Sequence, residues 1–408
     1  MRRKKILVTL IGCAVIMFGS IGVSNFLIKQ NPIVLETVND QVETDSQKAA
    51  FDVAAKGAVL IDADTGKVLF EKDSHKELPL ASVTKVMTML LVMEDVESGK
   101  ISLKDEVTIS ERAASMGGSQ MYMEIGEKHT VEELLKGVAM ASANDGCVAL
   151  AEYVAGTEEI FVERMNERAK ELGMRDSHFV NTNGLPVADH YSSAYDIAVM
   201  SKELYEYEET REWFTTWQDT IRVGLPGKEK EFGLTNTNKL IKQYEGCNGI
   251  KTGFTNDAGY CLSASALRGE THLIAVALGC ETSPKRNQEI SKILDYGFAT
   301  YETSVVAKKG QVMETINIER GEPQEVKVAT KEKITALVKK GESDRISTKI
   351  TLNEKVKLPI AKGDEVGKLK VFDDGNEIGE YSLVSAGDVK KASIWQMITR
   401  QFEDFKEK

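Results

Sequence analysis

A chain of 408 residues is long enough for two or three folded units, each able to bury its own core. Apolar residues make up 42% of it and aromatics are present, which excludes a wholly disordered protein. Asp and Glu outnumber Lys and Arg by 63 to 52, a net charge of −11, so nothing invites nucleic acid as a partner.

In chain order, Met1-Arg2-Arg3-Lys4-Lys5 precedes an uncharged run from Ile6 to Ile28, a basic n-region followed by an apolar export segment. Residues 1–24 read either as a signal peptide, cut after Ser24 behind Gly22-Val23-Ser24, or as an N-terminal anchor. Cys13 is incidental, and residues 25–48 read as a linker. Export would place Cys147, Cys247, Cys261 and Cys280 in an oxidising space. Their irregular spacing supports no metal site and favours small buried thiols over two bridges.

A folded region opens near Phe51. Ala58 to Asp62, the turn Asp64-Thr65-Gly66-Lys67 and Val68 to Phe70 spell a β-hairpin. Ser82 to Glu97 is apolar at nearly every position, which suits a helix buried all round. Helical patterns continue through Val131–Met140, Gly146–Val154 and Glu158–Leu172. Ala258–Ala266 and His272–Gly279 read as a second hairpin, closed by a helix from about Asn287 to Tyr296. Strands at both ends with helices between imply one α+β domain, residues 49–305, whose terminal strands share a sheet. From residue 306 to 386 short alternating strands (Glu325–Val328, Thr348–Leu352, Lys368–Val371) and the Asp374-Gly375 turn signal describe a small all-β domain. In residues 387–408, Ile394, Trp395, Met397, Ile398, Phe402 and Phe405 recur at helical spacing among Lys390, Lys391, Arg400 and Lys406, an amphipathic helix.

Three short motifs carry chemistry. In Ser82-Val83-Thr84-Lys85 a hydroxyl and an amine stand three residues apart, neighbours on one helix face, and Ser82 is the only serine with lysine at that spacing. Ser142-Ala143-Asn144 falls between two helices, in a loop suited to presenting polar groups. Lys251-Thr252-Gly253 follows Gly246-Cys247-Asn248-Gly249-Ile250 and leads into the apolar hairpin, so it reads as the start of a strand. Singly, each has a bland explanation: a solvated helix face, a polar loop, a strand-edge charge. His75, His129, His178, His190 and His272 are scattered, which argues against a histidine base or metal site, and His190 reads as structural.

Ser-x-x-Lys, Ser-x-Asn and Lys-Thr-Gly, in that order, resemble the motif set of penicillin-binding proteins and class A β-lactamases, where the middle motif carries Asp. Residues 49–305 resemble the D-alanyl-D-alanine carboxypeptidases, the low-molecular-mass penicillin-binding proteins, and the likeness extends to Leu80–Thr88, to Asn181-Thr182-Asn183-Gly184-Leu185 and to His190-Tyr191. Residues 306–386 look like the β domain of such enzymes and the tail like their membrane-binding helix. Leu80 and Ala143 depart from the family's usual Pro and Gly without removing a reacting atom. The resemblance implies a penicillin-binding transpeptidase/β-lactamase-like fold and a serine carboxypeptidase that removes the terminal D-alanine from peptidoglycan stems through an acyl-enzyme. It makes Ser82 the nucleophile, Lys85 the general base and Ser142 a proton relay beside Lys251. Asn144, Thr252, Gly253 and Arg286 would bind substrate, and the Ser82 and Phe254 N–H groups would form the oxyanion hole. It implies no cofactor and no metal. Its partners would be the stem peptide, β-lactams as covalent inhibitors and the membrane surface, at the outer face of the cytoplasmic membrane in an extracellular or periplasmic space.

A serine hydroxyl needs a neighbouring base, and a free lysine, with a pKa near 10.4, must fall by about three units to serve at pH 7. Burial and a second cation both push it that way, which explains two lysines in one pocket. Two other readings use the same residues. A β-lactamase would need a water-activating carboxylate, and no Glu stands in an assignable context; a non-catalytic wall-binding protein would have no need of an intact Ser82, Lys85 and Lys251.

Overall fold

The computed structural model describes residues 51–353 and 357–406, with side chains as far as Arg400. The expectations for residues 1–48 therefore lie outside the described residues. The first hairpin forms from β1 (Gly57–Asp62) and β2 (Val68–Lys72), where Asp62 accepts hydrogen bonds from the Thr65 N–H at 2.9 Å and hydroxyl at 2.6 Å across the turn. With β3 (Cys247–Thr255), β4 (Gly259–Arg268) and β5 (Thr271–Cys280) it makes a five-stranded antiparallel sheet in the order β2-β1-β5-β4-β3. The two ends of the region thus share one sheet, as the α+β pattern implied, and β3 is its edge.

Both faces of the sheet are covered, so its strands read as apolar runs more than as strict alternations. Val59, Ile61, Ile274, Val276 and Leu278 face the helical body. Ala58, Leu60, Leu273, Ala275 and Ala277, one residue out of phase, face Ile290, Ile293 and Leu294 of α6 (Ser283–Thr300). The helical body holds α1 (Lys85–Glu97), α2 (Val131–Lys136), α3 (Asn144–Ala155), α4 (Glu158–Glu171) and α5 (Ala194–Tyr205). Helix α1 is buried from Lys85 to Met93, which accounts for its lack of a polar face.

Three expectations change. Ser82 is not on α1 but on a 3₁₀ turn, Ala81–Thr84, that leads into it. The stretch 131–140 is not one α-helix: α2 opens with a Thr130/Glu133 capping box and gives way to a π-helical turn, Gly137–Ala141. Lys251 stands in the middle of β3, not at the start of a strand. Helix α5 and the hairpin Gln218–Val223/Lys230–Thr235 had no counterpart in the sequence reading.

The chain enters the β unit at Tyr301, because strand Tyr301–Ala307 pairs with Ile334–Lys339. Strands Glu325–Thr330, Ile346–Leu352 and Glu365–Asp373 contain the three expected ones and lie in a second five-stranded sheet around Val326, Val328, Leu369, Val371 and Leu383. Asp374 and Gly375 close a hairpin with φ of +49° and +82°, the positive pair that a two-residue turn of this hand requires. The last helix, α7 (Ile394–Lys406), is hooked to this unit by Arg400, which donates to the Gly321 carbonyl at 2.9 Å and to the Glu322 carboxylate. Its Ile394 and Trp395 are 70% and 79% exposed. Among the described residues no helix is long and apolar enough to cross a membrane.

Candidate active site

The 3₁₀ turn, the N-terminus of α3 and the edge strand β3 bring the three motifs together. Lys85 Nζ donates to Ser82 Oγ at 2.8 Å and to the Asn183 carbonyl at 2.7 Å, and its side chain is wholly buried while Ser82 is half-buried. Among the described residues no carboxylate pairs with Lys85. Desolvation lowers its pKa to about 8, against smaller opposing effects of Cys147 and Asp145. Lys251 is buried too, donates to the Thr252 carbonyl at 3.2 Å, and is held well below the usual lysine range by burial first and then by the Lys85 and Arg286 charges. Cys147, one turn into α3, feels both lysines electrostatically; burial nonetheless pushes its thiol up to about 12, so it stays neutral beside them. With Cys247, Cys261 and Cys280 it is buried and unbridged.

Close backbone approach builds this site. A Cβ at Gly253 would lie 2.8 Å from the Leu80 carbonyl and 3.0 Å from the Ser82 nitrogen, so β3 runs directly against the nucleophile turn. A Cβ at Gly184, whose φ is +84°, would lie 1.8 Å from the Ala81 carbonyl oxygen. That places the 181–185 loop under the same turn, and glycine alone fits there. Asn181 Oδ1 accepts from the N–H groups of Asn183 and Gly184, Thr88 donates to the Thr182 carbonyl, and buried Glu158 accepts both the N–H and the hydroxyl of Thr182. His190 accepts the Val180 N–H at Nδ1, which assigns its proton to Nε2, 2.8 Å from Thr84 Oγ1; Thr84 in turn donates to the Ala81 carbonyl. Burial depresses His190 to about 4, so it is a neutral strut for the nucleophile turn, the structural role its sequence context suggested.

Ser142 sits in the bend between the π turn and α3 with φ +63° and ψ +36°, a left-handed conformation costing a non-glycine residue about 1–3 kcal/mol. Asn144 Nδ2 donates to the Gly117 carbonyl at 2.6 Å, while its Oδ1 is buried without a partner among the described residues. Asp145 receives the Met121 and Gly146 N–H groups and so pins the 117–123 segment to α3. On the other wall Thr252 donates to Thr237 Oγ1 at 2.7 Å. Phe254 is half exposed and its ring stacks on Tyr260 at 4.3 Å. Arg286 is the outlier. It lies in the first turn of α6, only 4% exposed, bonded to Asn287, Ser283 and the Cys261 carbonyl, opposite Gly253 in the strand register and near enough to depress Lys251.

Residues 41–282 match the family of D-alanyl-D-alanine carboxypeptidases, and residues 301–391 the C-terminal domain of penicillin-binding protein 5. The chain belongs to the D-alanyl-D-alanine carboxypeptidase family. It is 45% identical over 352 residues to the D-alanyl-D-alanine carboxypeptidase DacF of Bacillus subtilis, an alignment covering 86% of this chain and 90% of that one. It is 30% identical over 359 residues to DacA of Escherichia coli, with 85% and 86% covered. Among solved structures, penicillin-binding protein 5 from Haemophilus influenzae superposes with a TM-score of 0.66 at 30% identity, covering 84% of this chain and 99% of that one. PBP3 of Streptococcus pneumoniae gives 0.67 at 28% identity, with 83% and 100% covered. The chain is accordingly a serine hydrolase of this carboxypeptidase family.

The family motifs explain why Ser82, Lys85, Ser142, Asn144 and Lys251 were legible in the sequence. The three motifs omit Asn183, Thr237, Asp145 and Glu158, which support the site, although Asn183 falls in the 181–185 stretch that the family resemblance singles out. For Asn183 and Gly184 the signal was the Asn-x-Asn-Gly turn chemistry; for Thr237 no local pattern stood out.

Two expected outcomes follow from this geometry. Gly184→Ala drives a methyl into the Ala81 carbonyl and displaces the nucleophile turn, so penicillin acylation slows by about a hundredfold; a wild-type rate in a folded variant contradicts the placement. A proton-accepting Lys85 must be neutral, and its neutral fraction grows with pH. Acylation therefore rises about tenfold per pH unit below the lysine's pKa and levels off above about 8, whereas Lys85→Arg stays inactive throughout. A flat profile between pH 6 and 8 contradicts this.

Proposed function

We propose that this chain removes the terminal D-alanine from peptidoglycan pentapeptide stems through an acyl-enzyme on Ser82, and that β-lactams acylate the same oxygen. The observation that carries the reading is the 2.8 Å contact from a buried Lys85, its pKa lowered by desolvation, to Ser82, facing the edge strand that holds Lys251 and Thr252. An extended peptide can add to that edge as one more antiparallel strand. Its terminal carboxylate meets Thr252 and the positive field of Lys251 and Arg286, and Asn144 Oδ1, buried without a partner among the described residues, accepts a substrate amide N–H.

In the first step Ser82 Oγ bonds to the penultimate carbonyl carbon and its proton passes to Lys85 Nζ. The N–H groups of Ser82 and Phe254 take the oxyanion; that of Ser82 is in the first turn of a helix, where no intrahelical acceptor exists. The C–N bond then breaks, and the departing D-alanine nitrogen takes a proton by way of Ser142. Arrival of the substrate carboxylate favours the protonated form of Lys251, which supplies the relay. Water afterwards releases the acyl group and restores Ser82. Asp145, with its oxygens engaged by backbone N–H groups, is not free to activate water as a rapid β-lactamase requires.

The chain is also proposed to act outside the cytoplasmic membrane, on the strength of the basic and apolar residues 1–28, with α7 lying in the headgroup plane. The exposed Ile394 and Trp395 support that reading, because Arg400 ties the helix to the β unit without covering them.

Incubation with a peptide ending in D-Ala-D-Ala releases free D-alanine, and Ser82→Ala abolishes it; release by the variant, or a penicillin adduct on another serine, overturns the assignment. Arg286→Ala lowers kcat/KM for the free-carboxylate peptide but hardly alters the already poor turnover of its amide. Equal losses on both would make Arg286 purely structural. Removing residues 388–408 from a chain beginning at Asn25 leaves D-alanine release in solution unchanged and lowers sedimentation with anionic liposomes; equal sedimentation contradicts the membrane role.

A further inference from the structure

Arg286 is almost wholly buried, yet among the described residues none of its partners is a carboxylate. Less buried arginines of the same chain have one: Arg164 meets Asp95 at 2.9 Å, and Arg168 meets Glu94 at 2.7 Å. A buried charge without a counter-charge is costly to keep, so its neutral surroundings need a reason. The thiols beside it do not compensate it, because burial pushes Cys261 up to about 11 and Cys280 up to about 12.

An amide holds the guanidinium instead. Asn287 Oδ1 accepts from Arg286 Nε at 3.1 Å and from Nη2 at 2.9 Å; arginine accepts nothing, so the atom facing it must be the amide oxygen. Ser283 Oγ accepts from Nη2 at 3.2 Å, and the Cys261 carbonyl from Nη1 at 3.4 Å. Helix geometry alone does not produce the Asn287 contact, since residues one apart diverge by roughly 100° and do not face each other. The guanidinium lies back over the first turn of α6. That turn is itself fixed: Thr282 Oγ1 accepts the Lys285 N–H at 3.2 Å, and the Thr282 carbonyl accepts the Arg286 N–H at 2.9 Å.

Arginine carries five side-chain N–H donors. These contacts take the one on Nε, both on Nη2 and one on Nη1, which leaves a second Nη1–H without an acceptor among the described residues. It belongs to the end of the guanidinium that rests on β4 at Cys261, the residue paired with Gly253 of β3.

Resting on the carboxypeptidase reading above, in which Arg286 meets the substrate's terminal carboxylate, we infer that Asn287 is a positioning residue for that recognition: its neutral amide fixes Nε and Nη2, presents the remaining Nη1–H, and leaves the positive charge uncompensated until the substrate arrives. An aspartate at 287 would hold the same two donors more strongly, but it would cancel the charge that the substrate meets. The position therefore needs neutrality as well as contact.

The test compares turnover of a peptide ending in D-Ala-D-Ala with turnover of its C-terminal amide, as the ratio of kcat/KM for acid over amide. Asn287→Asp keeps the bonds to Arg286 and lies near the N-terminus of α6, where an acidic side chain is favourable, so the helix is retained. The ratio falls by about tenfold in this variant, the worth of a hydrogen bond to a charged group. In Asn287→Ala the guanidinium is loosened but keeps its charge, and the ratio falls by only about threefold. Gln288→Asp puts the same new charge on an exposed neighbour that has no bond to Arg286, where solvent screens it, and keeps the wild-type ratio. Because each ratio is taken within one protein, partial misfolding cannot imitate the pattern. An unchanged ratio in Asn287→Asp, equal losses on acid and amide, a larger fall in Asn287→Ala, or an equal fall in Gln288→Asp overturns the role of Asn287 and leaves the carboxypeptidase standing. A wild type without preference for the acid overturns the placement of Arg286 on which the inference rests, and release from neither substrate overturns the carboxypeptidase reading itself.

Discussion

Two buried lysine amines, neither bonded to a carboxylate among the described residues, are the constraint from which the chemistry follows. Taking an ammonium out of water costs several kcal/mol, so burial lowers the pKa of both amines, and the charge of Lys85 adds to the effect at Lys251. The hydrogen-bond partners of Lys85, a hydroxyl and a carbonyl, add no negative charge of their own. Cys147, which is coupled to both lysines, is kept neutral by the same burial. The protein thus makes a base out of lysine by withholding the partners that would make it a cation.

Holding that arrangement requires precise contact between segments far apart in the chain, and backbone does most of it. Gly184 and Gly253 let two segments press on the Ala81–Thr84 turn at distances no side chain allows. His190 and Thr84 brace it from within, and Ala81 itself takes a φ of +48°. Ser142 is held in a left-handed bend by the change from π turn to α3. Strain concentrated on both sides of the cleft, at Ala81 and Ser142, is tolerated because the surrounding core over-determines it.

The sequence disclosed what local pattern can carry. Both hairpins of the main sheet and the helices around residues 85–97 and 158–171 followed from apolar runs and turn residues, and the Asp374-Gly375 turn from its composition. Strand β3 was misjudged because Gly246, Gly249 and Gly253 look like loop; glycine is there for close approach, not flexibility. The π turn at Gly137–Ala141 looks like continued helix, since only the register of its hydrogen bonds differs. Helix α5 and the 218–235 hairpin went unseen, and with them Thr237, which reaches the site only through tertiary contact. The motif residues announced their chemistry, while Asn183, Asp145 and Glu158, which position them, have no chemistry of their own to announce.

The claim that lysine is made basic by burial is open to direct observation. Isotope labelling of the lysine side chains and an NMR pH titration of the folded enzyme resolve each amine. The account predicts two lysines titrating below the ordinary value of about 10.4, one of them near 8 and lost in Lys85→Arg. Lysines that all titrate at the ordinary value, or a low-titrating signal that survives in Lys85→Arg, would contradict it.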